Sequence, residues 1–381
     1  MENKIYDNPL RRQCLSIPAL CAEQMRGVCR GFAESGLEDC LRDITKVIIT
    51  GCGDSYFAAR AAVPAFQKYA GAFGMTFAAH TCLDTARFLL YPERDNGNIL
   101  VVGVSASGRP ARVCEALLRA KKHGCRTLAL TNHADSPAAQ AAQFRFVVHT
   151  PDFPLASPGL RNYFASLSGL FLLAAQLGKA KGTSTEDGIK DMLAAAEKLA
   201  EDYGTALPKL DEKMLALAED WRGMCAVETI GDGDAYSSAA FIAAKFVEAS
   251  GIAATVADAE DWCHINFFLR QADRVGLIVS ADRNAPDAGR IREMLAQAAA
   301  VGRKVLLLSN GLETKASCGV THVELPAAPE GYRFLESMYD FLPGALLASY
   351  DSVLRGETYF RGGRWSEPGV NTIQTSRIEL V

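Results

Sequence analysis

The sequence has no run of about 18 uncharged apolar residues, the length a membrane-spanning helix needs. No apolar stretch follows its opening residues, MENKIYDNPLRRQ, so no secretory signal is expected there. Its eleven cysteines include no C-x-x-C pair. An odd, scattered set argues against a disulfide frame or a zinc site, and for a reducing, cytoplasmic setting. Basic charge is not in excess either: 40 Lys and Arg stand against 44 Asp and Glu, a net −4. Neither nucleic acid nor an anionic membrane surface is therefore expected as a partner. The dinucleotide fingerprint G-x-G-x-x-G is also missing. After Gly51-Cys52-Gly53 and Gly231-Asp232-Gly233, Tyr56 and Tyr236 stand where the third glycine belongs. No metal and no cofactor is expected.

What is present begins with bulk. At 381 residues, 49% of them hydrophobic, the chain can build two α/β domains. The stretch Ile99–Asn132 organises the first. Ile99–Val104 is a β-branched apolar run that reads as a strand buried on both faces. Ser105-Ala106-Ser107-Gly108 follows, then Pro110 at a helix start, Val113, Leu117 and Ala120 at helical spacing, and Gly124 as a stop. Thr127–Leu130 opens the next strand. Backbone N–H groups at such a turn favour an anion such as phosphate; serines that merely cap the helix are the alternative reading.

Around this unit the chain alternates strand and helix. Residues 1–44 read as a helical lead-in, with helices at Leu20–Cys29 and Leu37–Ile44. Lys46–Thr50 is a strand, Phe57–Tyr69 a helix, Thr76–Thr81 and Phe144–His149 further strands, and Tyr163–Leu177 a buried apolar helix. The charged, alanine-rich run after Lys179 reads as a linker of two amphipathic helices. A second half then repeats the first: GDGDAY at 231–236 parallels GCGDSY at 51–56, and VGLIVSAD through KVLLLSN parallels VVGVSASG through TLALTN. Two motifs in one order predict two copies of one domain, each a doubly wound parallel sheet flanked by helices. The boundaries are placed at 1–184, 185–222 and 223–381. A helix over Phe334–Leu354 and a polar tail complete the chain. Asp282 replaces a serine-loop residue in the second copy, an exchange hostile to phosphate. Cys52 and Cys263 are read as small buried residues, and His80, His123, His133, His149 and His322 as structural or surface groups.

The GCGDSY loop, the Ser105–Gly108 loop and the tandem repeat resemble the double sugar isomerase (SIS) domain proteins, the group that holds the isomerase half of glucosamine-6-phosphate synthase and the fructosamine-6-phosphate deglycases. The resemblance spans roughly residues 40–380. It implies two tandem SIS domains of α/β fold and a sugar phosphate held by Gly53, Ser55, Ser105, Ser107 and the N–H of Gly108. Relatives commonly carry an acid and a threonine after that glycine, where this chain has Arg109 and Pro110. Arg109 is expected to offset the lost hydroxyl with a charge-assisted contact; a different ligand end is the other reading. The resemblance further implies catalytic roles for Glu248 as the proton shuttle between C1 and C2 and for His264, sixteen residues on, in ring opening. Lys245 shares Glu248's helical face at i,i+3. Outside that resemblance, Lys245 and Glu248 would be an ordinary surface pair and His264 a satisfied histidine. In relatives this histidine serves the partner subunit's site, so a homodimer is expected.

At this length no glutamine-hydrolysing domain is expected. The tail Pro368–Arg377 lacks the Schiff-base lysine of the synthase, and the last lysine is Lys315. The expected function is therefore isomerisation or deglycation of a sugar 6-phosphate or fructosamine 6-phosphate, not glutamine-dependent amination. The alternative is a non-catalytic sensor that binds the sugar phosphate.

Overall fold

The computed structural model describes residues 6–71, 74–93, 96–282, 284–313 and 319–362, with 373 and 376–380. The chain divides into two compact units. One holds Leu20–Asp152, Gly159–Glu197 and Thr372–Val381; the other holds Met1–Ala19, Phe153–Pro158 and Lys198–Asn371.

The first-sheet unit is built on five parallel strands: β1 (Lys46–Gly51), β2 (Thr76–Thr81), β3 (Ile99–Val104), β4 (Arg126–Thr131) and β5 (Phe144–Val147), in the order β2-β1-β3-β4-β5. All six residues of β3 are buried, as the unbroken apolar run predicts. Helix α1 (Pro9–Glu34) precedes the sheet. After β1 comes α2 (Asp54–Ala70), after β3 comes α3 (Ala111–Lys122), and α4 (Pro137–Ala141) and α5 (Arg161–Lys181) follow β4 and β5. The order dictates the layers. From β1 the chain steps outward to β2; from β3 it steps the opposite way to β4. Right-handed crossovers in opposite directions put their helices on opposite faces. Accordingly α2 packs on α5, while α3 packs on α4 and on the short helix Asp84–Phe88. The chain end joins this unit: Arg112 donates to the Arg377 carbonyl at 2.8 Å and Arg87 to that of Glu379 at 2.7 Å.

The second-sheet unit repeats the plan. Helix α6 (Glu186–Asp220) leads to β6 (Ala226–Gly231), then α7 (Tyr236–Ser250), β7 (Ala253–Ala257), α8 (Ala259–His264), β8 (Val275–Asp282), α9 (Ala288–Ala300), β9 (Val305–Asn310), β10 (Val320–Glu324), α10 (Leu342–Arg355) and α11 (Tyr359–Gly362). The strand order β10-β9-β8-β6-β7, all parallel, is that of the first sheet. The two doubly wound sheets expected from the repeat are present. Helix α7 packs on α10 as α2 does on α5, and α8 packs on α9 over a core of Ile230, Trp262, Leu277, Val279 and Met294.

Several elements depart from the sequence reading. The lead-in is one helix, α1, with Pro18 inside it, and a 3-10 helix at Glu38–Asp43. The charged stretch is one 35-residue helix, α6, not two. Pro208 removes one donor, but the Ala, Leu, Lys and Glu on either side have the propensity to continue the ladder. Near the C-terminus, Arg333–Met338 is a 3-10 helix and α10 starts afresh at Leu342, with Pro343 in its first turn. Edge strands β7 and β10 carry too weak an apolar pattern to be read in advance.

Both repeats turn on a glycine. A Cβ on Gly51 would lie 2.6 Å from the Ser55 backbone, and one on Gly231 2.5 Å from the Ala235 carbonyl. Each first helical turn folds directly against its strand end, and no side chain fits between. Gly51→Ala and Gly231→Ala are each expected to lower stability by about 2 kcal/mol or more, measured by urea unfolding; a loss under about 0.5 kcal/mol would show that the turns are not tight.

Candidate active site

In the first-sheet unit a cavity of about 290 Å³ opens where β1 and β3 end. These neighbouring strands send their crossovers to opposite faces, so their carboxyl ends leave a crevice between the diverging chains. Three segments line it: Asp54 and Ser55 from the first turn of α2, Ser105–Ser107 and Pro110 ahead of α3, and Gly159, Asn162, Tyr163 and Ser166 around the start of α5. Three helix N-termini thus begin at this cavity, a setting that favours an anion.

The structure brings Ser55, Ser105 and Ser107 together here. Ser105 is buried and its Oγ accepts the Gly108 N–H at 3.0 Å; the exposed Ser107 Oγ accepts the Arg109 N–H at 3.3 Å. A hydroxyl that accepts one hydrogen bond keeps its own proton to donate. Both serines can therefore donate to an anionic oxygen. Asn162 and Ser166 were not read from the sequence, because nothing in a long apolar helix marks which polar residues face a cavity. Asp54 adds a carboxylate to an otherwise neutral lining, suited to accept from sugar hydroxyls.

Three expected contacts fall elsewhere. The Gly108 N–H is directed to the Ser105 carbonyl and hydroxyl, so it serves the turn rather than pointing to a ligand. Gly108 is required for its positive φ of 62° and because a Cβ would strike Ser136. Gly53, at φ 53°, shapes the start of α2 and does not line the cavity. Arg109 is exposed and does not line it either. The reading of Cys52 as a small buried residue is corrected outright. Cys52 is exposed and forms a disulfide with Cys82. In the parallel register Gly51 pairs with Thr81, so the next residue of each strand is a neighbour of the other, within reach of a disulfide. Cys263 is half-buried against the α8–α9 core, and burial pushes its thiol pKa up.

In the second-sheet unit, Lys245 and Glu248 stand on α7. Lys245 is fully buried; its Nζ donates to Glu248 Oε2 at 2.6 Å and sits 4.4 Å from the Phe241 ring centre. A buried ammonium needs such partners. The Glu248 side chain remains 30% exposed. His264 ends α8, 71% exposed, with Nε2 3.0 Å from Glu260 Oε1; Arg290 in turn holds Glu260 at 2.7 Å. Arg283, Lys315 and tail residues 363–372 lie outside the described residues.

The second sheet's counterpart of the serine crevice is acidic. Asp282 ends β8 and is held by Arg333 at 2.7 Å, with Asp234 3.8 Å from the same nitrogen. Glu336 accepts from Asn310 and from the Ala328 N–H, both at 3.0 Å. Burial, with Asp282 adding to it, pushes the Glu336 carboxyl up to about 7. Burial likewise raises Asp340, which accepts from Tyr203 at 2.6 Å. Asp232 is pushed up to about 7 by burial and by its hydrogen bond with Asp287. A phosphate would meet carboxylates here, in keeping with two specialised copies.

A carboxyl whose folded pKa is raised binds its proton more tightly when folded. Its stabilising share is present at low pH and is lost as pH rises from about 4.5 towards 7. Glu336→Gln keeps the accepting oxygen but cannot ionise. It is expected to raise stability at pH 8 by on the order of 1 kcal/mol and to change little at pH 5. Thermal unfolding at both pH values checks this; equal shifts at both would contradict it.

Residues 40–175 match the SIS domain. The chain is 28% identical over 334 residues to the isomerizing glutamine–fructose-6-phosphate aminotransferase of Thermococcus kodakarensis, covering 87% of this chain and 52% of that protein. Against the same enzyme of Gloeobacter violaceus it is 26% identical over 335 residues, covering 84% and 50%. The chain thus spans about half the length of these curated relatives. Among solved structures, the C-terminal domain of glucosamine-fructose-6-phosphate aminotransferase from Francisella tularensis aligns with a TM-score of 0.79 at 18% identity, covering 92% of this chain and 97% of that one. Tagatose-6-phosphate ketose/aldose isomerase from Escherichia coli aligns at 0.70 and 15%, covering 93% and 95%. Residues 40–175 are thus matched as a SIS (sugar isomerase) domain, and the second sheet has the same strand order.

Proposed function

We propose that this protein is a phosphosugar isomerase or deglycase that takes a sugar 6-phosphate or fructosamine 6-phosphate and moves a proton between C1 and C2. The observation that carries the reading is the hydroxyl-lined cavity at three helix N-termini, with Ser55, Ser105 and Ser107 together. Hydroxyl donors and helix ends hold a phosphate without a counter-cation that would slow its release. Relatives named for work on sugar phosphates support the same substrate class.

Glu248 is the proton carrier in this reading. Lys245 orients it through Oε2, and its part-buried carboxylate is suited to take a carbon-bound proton. For a fructosamine, Glu248 removes a proton from C1 and returns it to C2. The C2 carbonyl becomes a hydroxyl and the C1–N bond becomes an imine. Water then cleaves the imine to the aldose phosphate and the free amine. His264, steadied by Glu260, passes the proton that opens the sugar ring. It does so in the site of a homodimer partner. The Lys245–Glu248 pair is what favours an enzyme over a sensor, since holding a phosphate requires neither residue.

A panel of aldose, ketose and fructosamine 6-phosphates, scored for released amine or interconverted sugar, tests the reading. Glu248→Gln is expected to abolish turnover while leaving ligand affinity within about twofold. Ser105→Ala is expected to weaken binding about tenfold, the effect of losing one hydrogen bond to a charged group. Unchanged turnover in Glu248→Gln would overturn the mechanism. Binding without turnover by the unaltered chain would establish the sensor instead.

A further inference from the structure

We propose that Glu228 is the positioning residue of the His264 segment, stapling it from both sides. The proposal rests on the reading of His264 as a proton-passing group, and it concerns residues that reading does not use.

His264 poses a mechanical problem. It is the last residue of the six-residue helix α8, and its ring is 71% exposed. Side-chain packing cannot fix so open a ring; its position depends on the backbone that carries it. That backbone reverses immediately, through Ile265 at φ −126°, ψ −62° into the 3-10 helix Asn266–Phe268. Short turns of this kind open readily unless they are tied down.

Glu228 supplies the tie. It lies on β6 and is 8% exposed. Its Oε2 accepts from Trp262 Nε1 at 3.3 Å, and its Oε1 accepts from Asn266 Nδ2 at 2.9 Å. Trp262 and Asn266 stand two residues before and two after His264. One carboxylate on β6 therefore closes a staple across the turn. Arg303, 2% exposed, donates from Nη2 to the same Oε2 at 2.6 Å and holds the carboxylate in place. A carboxylate suits the task, because its two oxygens can accept all three donors, whereas a glutamine offers one accepting oxygen. Trp262 is fully buried in the α8–α9 core, so the staple joins the exposed turn to that core.

The test uses the full chain with histidine-selective ¹³C labelling, His264→Asn assigning the His264 signal. Two variants are compared with the unaltered protein. Glu228→Gln removes the charge and one acceptor; Asn266→Ala removes one arm and leaves the Glu228–Arg303 pair intact. Both are expected to move the His264 ring resonance, and to speed amide exchange over residues 261–268 about tenfold or more. With a substrate found for the unaltered chain, kcat falls about tenfold while KM stays within twofold. If Glu228→Gln does not fold, Asn266→Ala decides the matter. A folded Asn266→Ala protein whose His264 resonance and 261–268 exchange match the unaltered chain would overturn the proposal. Equal losses in KM and kcat with an unmoved resonance would also overturn it. Absence of turnover in every protein, including the unaltered one, would instead sink the enzymatic reading, while resonance and exchange still judge the staple.

Discussion

The structure depends on a constraint of parallel sheets. A strand that crosses to its neighbour on one side and a strand that crosses to the other must send their right-handed connections to opposite faces. Between β1 and β3 that divergence leaves a crevice no side chain of the sheet fills. Helix starts gather there because every connection leaves a strand at its carboxyl end. The tight glycine turn at Gly51 folds Ser55 back onto the strand end, so the hydroxyl is placed by backbone contact and not by a flexible side chain.

The same constraint acts again between β6 and β8, and there the chemistry is reversed. Carboxylates of Asp282, Asp234 and Glu336 gather where the first unit offers hydroxyls, with Arg333 among them. An internal cation offsets the charge that an external anion would have met. The two copies therefore share the frame and differ in the groups gathered at the strand ends. What the second unit offers instead lies along its helices: a buried ammonium beside a part-buried carboxylate on α7, and an exposed imidazole at the end of α8.

How far the sequence could be read follows from the range of each interaction. Strands β3, β4 and β8 are apolar runs, and the repeat of GCGDSY in GDGDAY is a local pattern; both are legible in one dimension. The gathering of Ser55 with Ser105 and Ser107 is implied by the family resemblance, and the three line one cavity. What escaped depends on which elements become neighbours. The Cys52–Cys82 disulfide follows from the β1–β2 register, which no spacing of cysteines reveals. Asn162 and Ser166 are polar positions in an apolar helix, informative only once the helix is seen to start at the cavity. The Gly108 N–H was assigned to a ligand because the turn's own use of it, by the Ser105 side chain three residues back, is one of two outcomes of the same motif. Helix α6 reads as two helices in the sequence because its Gly and Pro are local breakers, and only the long helical run around them carries the ladder through.

The division of labour has a physical basis. A phosphate site must present hydrogen-bond donors, and it must let the anion leave; neutral hydroxyls and helix ends meet both demands. Proton transfer at carbon needs the opposite: a carboxylate partly withdrawn from water and a cation to keep its geometry. Within one crevice the two demands conflict, because a carboxylate close to the phosphate repels it. Two copies of one fold remove the conflict. In the first, buried Ser105 accepts the Gly108 N–H and keeps its proton to give; in the second, buried Lys245 and Arg303 hold the carboxylates of Glu248 and Glu228. The acids at the second set of strand ends are thus the counterpart of the hydroxyls at the first.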